Sequence, residues 1–174
     1  VAQELCLSLP SGGEPEIEQD LFDKVVLYTS LLAVPVRRDW EDKSVLKGKA
    51  LFNEIGCAGC HTPNHTTEAH FFTELSHQKI WPYTDLLLHD MGDGLADGRA
   101  VFDASGREWK TPPLWGIGLV ESVNHHTRFL HDGRARNLTE AILWHGGESA
   151  AAQKRFINLS ADERENVLTF VKSL

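Results

Sequence analysis

The sequence predicts a mainly α-helical domain with long irregular loops, and three observations carry that prediction. Apolar residues recur at helical spacing in segments near both ends, the middle is dense in Gly, Pro, Asp and His, and helix start signals stand where periodic segments begin. A chain of 174 residues suits one domain large enough to bury a core. Lys+Arg number 17 against Asp+Glu 25, a formal charge of -8, and no segment concentrates the basic residues. That balance argues against a nucleic-acid partner. The longest apolar runs, such as Leu31 to Val36, fall far short of the roughly 20 residues that span a bilayer, so no transmembrane segment is expected.

The elements follow in order. Residues 16–33 place Ile17, Leu21, Val25 and Leu32 near helical spacing, and Pro35 ends the pattern. Residues 44–56 put Val45, Gly48, Phe52 and Ile55 on one face of a second helix. Gly48 costs up to about 1 kcal/mol inside a helix, so close approach of another backbone is expected there. The stretch 62–136 reads as loop and turn, and glycines at 92, 94 and 98 let residues 89–98 bend repeatedly. Its acidic side chains could hold calcium, although EF-hand spacing is absent and a solvated loop is the simpler reading. Asn137 with Glu140 can cap a short helix over 138–145. Ser160 to Glu163 forms a capping box, and Val167, Leu168, Val171 and Leu174 continue as an apolar stripe.

The helix over 44–56 runs straight into Cys57-Ala58-Gly59-Cys60-His61. Cys-x-x-Cys-His reads as a c-type haem attachment site. Positions 57, 60 and 61 relate as i, i+3 and i+4, so two thiols and an imidazole project from one face of a helical turn. The thiols can bond the vinyl-derived carbons of haem while the imidazole reaches iron. A half zinc site lacks a second ligand pair, because Cys6 is the only other thiol. A thioredoxin-like redox motif lacks its βαβ context. A terminal helix crossing the 44–56 helix at Gly48 would be the cytochrome c arrangement, so the fold expected is a cytochrome c-like helical haem domain.

Several strings together resemble a family. Gly48-x-x-x-Phe52 before the haem motif, Thr111-Pro112-Pro113-Leu114-Trp115, Phe129-Leu130-His131-Asp132-Gly133-Arg134 and Leu138 to Ile142 resemble the C-terminal haem domain of bacterial di-haem cytochrome c peroxidases. Leu87 to Gly92 and Ala141 to Glu148 look more narrowly like the di-haem oxidoreductases often labelled thiol oxidoreductases. The resemblance covers roughly residues 44–174 and implies a haem domain there, with 1–43 as an N-terminal helix and linker. Family members carry two haem motifs and this sequence has one. A C-terminal piece is therefore expected, partnered by a missing N-terminal haem domain that carries the catalytic haem. Cys6 is expected either to pair with that missing part or to stand as a buried free thiol.

His61 supplies one axial ligand, and two residues compete for the other. Met91 is the only methionine, and His/Met ligation raises the reduction potential of cytochromes c. The resemblance places the distal ligand one short helix after the His-Asp-Gly string, which is His145, where related enzymes carry Met or Tyr. His145 is the ligand expected here and Met91 the alternative. Its bland reading is a residue at a helix C-terminus favoured by the dipole. Arg134 is expected to pair with a haem propionate, because guanidinium matches carboxylate geometry. His131 is expected either to bond a propionate or to stabilise its own turn. His65, His70, His77 and His89 read as surface or loop residues. Most of Trp81, Trp109, Trp115 and Trp144 should wall the pocket, with Trp115 or Trp144 as alternatives on an electron path.

Two functional classes follow. An electron-transfer domain cycles one electron at an iron closed by two protein ligands, whereas a peroxidase-like haem enzyme keeps an open iron position. Two available ligands favour the first. The resemblance implies a bacterial periplasmic protein, and the acidic surface suits a basic redox partner protein.

Overall fold

A computed structural model describes residues 8–174, so expectations for Cys6 lie outside the described residues. The described chain is mainly helical. Helix α1 spans Gln19–Leu31, α2 Lys43–Glu54, α3 Val120–Asn124, α4 Leu138–Leu143, α5 Ala150–Asn158 and α6 Ala161–Ser173. Single 3-10 turns punctuate the connections. Two short antiparallel hairpins interrupt the region expected to be loop: β1 (His65–Thr66) pairs with β2 (Lys79–Ile80), and β3 (Leu88–Asp90) with β4 (Glu108–Lys110).

The core is built on the crossing of α2 and α6. Asp42 caps α2 through the Ser44 and Val45 amides, and Val45, Gly48 and Phe52 are buried on the expected face. A Cβ at Gly48 would overlap the Asn166 carbonyl and come within 2.8 Å of the Phe170 Cβ. Only glycine permits that approach, which is the compensation its helix cost required. Ser160 and Glu163 complete the capping box at the start of α6. Phe170, absent from the stripe read in the sequence, is fully buried and lies edge-on to Phe52 at 5.2 Å and to Tyr83 at 5.6 Å. The end of α6 is tied to the chain preceding α2: Arg38 donates its amide to Ser173 and its guanidinium to the Lys172 carbonyl.

Helix α1 forms three residues inside the expected span at its start and two inside at its end, and it buries none of its side chains. Leu21, Phe22, Val25 and Leu32 are all exposed, so its apolar spacing is not matched by packing against the described chain. The tryptophans correct a second expectation. Trp81 faces outward beneath Lys79, and Trp109 stacks on His131 at 3.6 Å rather than walling the site around His61. Ring stacking and a cation over the ring compete with core burial for these side chains.

Candidate functional site

Helix α2 ends at Glu54, and Gly56 turns the chain at a φ of 93° into the 3-10 turn Cys57–Gly59. The His61 amide donates to the Cys57 carbonyl at 2.9 Å, which keeps Cys57, Cys60 and His61 on one turn as the spacing predicted. Both cysteines are half-buried free thiols. Burial pushes the Cys57 thiol up to about 11, and burial likewise raises Cys60, with Asp85 and Glu148 adding to it. Helix α5 reaches this turn too, because Arg155 donates to the Ile55 carbonyl at 2.8 Å.

The His61 ring packs 6.2 Å from the buried Phe52 ring, and its Nδ1 lies 3.0 Å from the Tyr83 carbonyl. An N–H there must donate, since a carbonyl only accepts. Tyr83 holds this acceptor at a φ of 55°, a left-handed conformation that costs an L-residue roughly 1–2 kcal/mol. Burial drives the His61 pKa down to about 4, so the ring is neutral and its Nε2 carries a lone pair.

His145 stands opposite. Asn137 caps α4 through the Glu140 amide, while the Glu140 carboxylate turns back to Arg136 instead of completing a box with Asn137. Helix α4 ends at Leu143, and His145 follows with its Nδ1 2.8 Å from the Ala141 carbonyl. Burial lowers its pKa as well. Among the described residues, neither His61 nor His145 uses Nε2 in a hydrogen bond. Their ring centroids lie 6.5 Å apart. Metal–imidazole bonds of about 2.0–2.1 Å, plus about 1.1 Å from each nitrogen to its ring centre, place two trans imidazoles of one ion about 6.3 Å apart. The separation of the ring centres thus matches in length that of two imidazoles sharing one ion, and each ring has its tautomer fixed by a backbone carbonyl. Two thiols on the same turn as one imidazole fit covalent attachment of a porphyrin around that ion.

The remaining expected site residues sit as follows. Met91 does not pair with His61; its Sδ lies 3.9 Å from the Ser149 hydroxyl. Arg134 binds Asp132 and the Gly94 carbonyl, and its guanidinium stands 5.0 Å over the Trp144 ring in a cleft of about 480 Å3. His131 lies flat on Trp109, whose indole N–H donates to the Leu95 carbonyl. In the loop read as solvated, with calcium as the alternative, Asp90 and Asp93 pair with Arg107, and Asp97 accepts from the Arg99 amide. Among the described residues the one cluster of three metal-ligating side chains is Cys60, Asp85 and His89, which includes none of that loop's aspartates.

His89 is the functional candidate that sequence reasoning missed. It is largely buried, with Nε2 2.8 Å from Asp85 and Nδ1 2.8 Å from Glu148. Its signal was the string Leu87 to Gly92, which narrowed the resemblance without indicating a contact.

A family model described as "Di-haem oxidoreductase, putative peroxidase" matches residues 8–174. Curated proteins and solved structures give no match.

Proposed function

The chain belongs to the di-haem oxidoreductase family, and from that premise we propose that residues 44–174 form a cytochrome c-like electron-transfer domain. In this reading Cys57 and Cys60 hold one haem c covalently, His61 and His145 are the axial ligands, and residues 1–43 are a helix and linker. The observation that carries it is the pair of imidazole rings 6.5 Å apart, each with Nδ1–H given to a backbone carbonyl.

When bound, haem supplies a one-electron iron couple whose potential follows its axial ligands. The chain's own residues do the rest. The Tyr83 and Ala141 carbonyls engage Nδ1 of the two rings, which would leave each Nε2 to the metal. With haem bound, His61 and His145 together would leave no iron position free for peroxide and would set a lower potential than a His/Met pair. Arg134 is assigned to a haem carboxylate from its place over Trp144, and His131 backs the same side through Trp109. The partner haem domain implied by the family receives or supplies the electron, and a basic redox protein suits the charge of -8. The location that goes with this reading is the bacterial periplasm, where covalent haem attachment takes place.

The ferric optical spectrum of the chain, produced in a host that attaches c-type haem, tests the assignment. A low-spin spectrum without a methionine-to-iron charge-transfer band is expected. A high-spin spectrum would instead mean an open iron position and an enzyme. With His145→Ala, an unchanged low-spin spectrum removes His145 as the ligand and returns Met91 as the candidate.

A further inference from the structure

We propose that His89 is a positioning residue for the His145 imidazole: by bridging Asp85 to Glu148 it ties the turn that carries His145 to the wall that holds His61. The proposal rests on the His61/His145 reading and adds a residue that touches neither ring's Nδ1 partner.

On one side, Asp85 follows Tyr83, the residue whose carbonyl receives His61 Nδ1, by two positions. That segment is immobilised independently of the bridge. Thr84 is fully buried, its hydroxyl donates to the Thr111 carbonyl at 2.6 Å, and its amide donates to the Thr62 carbonyl at 3.0 Å. On the other side, Glu148 follows His145 by three positions, in the 3-10 turn Gly147–Ser149. One Glu148 oxygen meets His89 Nδ1 at 2.8 Å, and the other accepts the Asp90 amide at 3.0 Å. Backbone packing shows how closely the two segments dock. A Cβ on Gly147 would overlap the Asp90 carbonyl and stand 2.7 Å from the Gly92 amide, and one on Gly146 would stand 2.8 Å from the Met91 carbonyl.

The chemistry of the bridge suits histidine. Carboxylates only accept, and the imidazolium ring donates to both of them from two nitrogens that diverge on a rigid ring. Glutamine carries its two N–H donors on one nitrogen and has no second nitrogen on the opposite side to meet both carboxylates in this geometry. The bridge is also sheltered: the His89 and Asp85 side chains are 15% and 12% exposed, against 56% for Glu148. Charge-assisted bonds in such a place hold geometry better than exposed ion pairs do. The strings Leu87 to Gly92 and Ala141 to Glu148, which narrowed the family resemblance, are thus the two halves of one contact across the site.

The test uses the haem-loaded chain with His89→Gln, with Glu148→Gln as the milder change at a half-exposed position, and with His145→Ala as the control. A positioning residue predicts that both Gln variants retain covalent haem but release the distal ligand more often. Carbon monoxide should then bind the ferrous protein at least about ten times faster than wild type, with a high-spin fraction in the ferric spectrum. If both variants lower the unfolding midpoint and leave the carbon monoxide rate and the spin state at wild-type values, the bridge is structural and the proposal falls. If His89→Gln fails to fold, Glu148→Gln alone decides by the same two readouts. The control separates the two ideas. An unchanged spectrum in His145→Ala overturns the ligand assignment itself, whereas a high-spin His145→Ala beside unperturbed Gln variants overturns only the bridge.

Discussion

The two walls of the site are held by different forces. The His61 wall grows directly out of α2 and is anchored where α2 crosses α6, with Val45, Phe52, Val167 and Phe170 buried together. The His145 wall shares that core through Leu138 in its six-residue helix, but the glycine turn that follows His145 is tied to the opposite wall through His89, Asp85 and Glu148. Apolar burial is non-directional and scales with area, so it fixes one ligand as part of the global fold. Polar contacts are directional and local, so the other ligand can loosen while the domain stays folded. The difference teaches that stability and ligation should respond to separate substitutions.

The largest effect should come from Phe170→Ala. Removing this ring from between Phe52 and Tyr83 should cost about 3–5 kcal/mol, read by chemical denaturation of the whole domain. An effect below about 1 kcal/mol would place the stabilising core elsewhere. Gly48→Ala comes next. Forcing a methyl into the Asn166 backbone separates α2 from α6, and overpacking of this kind costs about 1–3 kcal/mol despite alanine's better helix propensity. Stabilisation by this substitution would break the account of the crossing.

Gly147→Ala acts on the other wall. Its φ of 51° and its contact with Asp90 disfavour a side chain by about 1–2 kcal/mol, and the ferric spectrum should shift toward high spin. Equal spectral change in Gly48→Ala at matched stability would erase the distinction between the walls. Ser160→Ala removes the α6 cap and should cost about 1 kcal/mol without touching the spectrum.

The smallest effect is one of pH. The Ser160 amide and hydroxyl hold the Glu163 carboxyl below its ordinary value of 4.5. A carboxyl depressed in the fold stabilises above its unfolded pKa, and that contribution disappears as pH falls through the folded value. Stability of the wild type should therefore fall on acidification below about 4.5, and Ser160→Ala should show a shallower fall in the same window. Identical acid slopes in both proteins would remove Glu163 from the capping box in solution.

Local signals were legible where chain neighbours settle the structure. The Asn137 cap, the Ser160 box, the face Val45–Gly48–Phe52 and the close approach at Gly48 all depend on residues within a turn or on one glycine's cost. The hairpins at 65–66 with 79–80 and at 88–90 with 108–110 were not legible, because two- and three-residue strands show no period. Helix α5 also passed unread, although it buries Phe156 and reaches the haem-motif turn through Arg155. Tryptophan abundance suggested pocket walls, but Lys79, His131 and Arg134 each offered a ring partner that composition cannot locate.

The sequence by itself determined the helical class and the grouping of Cys57, Cys60 and His61, because an i, i+3, i+4 relation places side chains on one face wherever the chain turns helically. It offered His145 as the second ligand, with Met91 as the alternative, and the preference leaned on a family likeness. Only the tertiary structure brought the His145 ring to 6.5 Å from His61 and set Met91 beside Ser149. It alone turned His89 inward to Glu148, 59 positions away. The physical reason is that a hydrogen bond acts over about 3 Å of space and carries no information about separation along the chain, so its partner emerges only when the loops between have found their places.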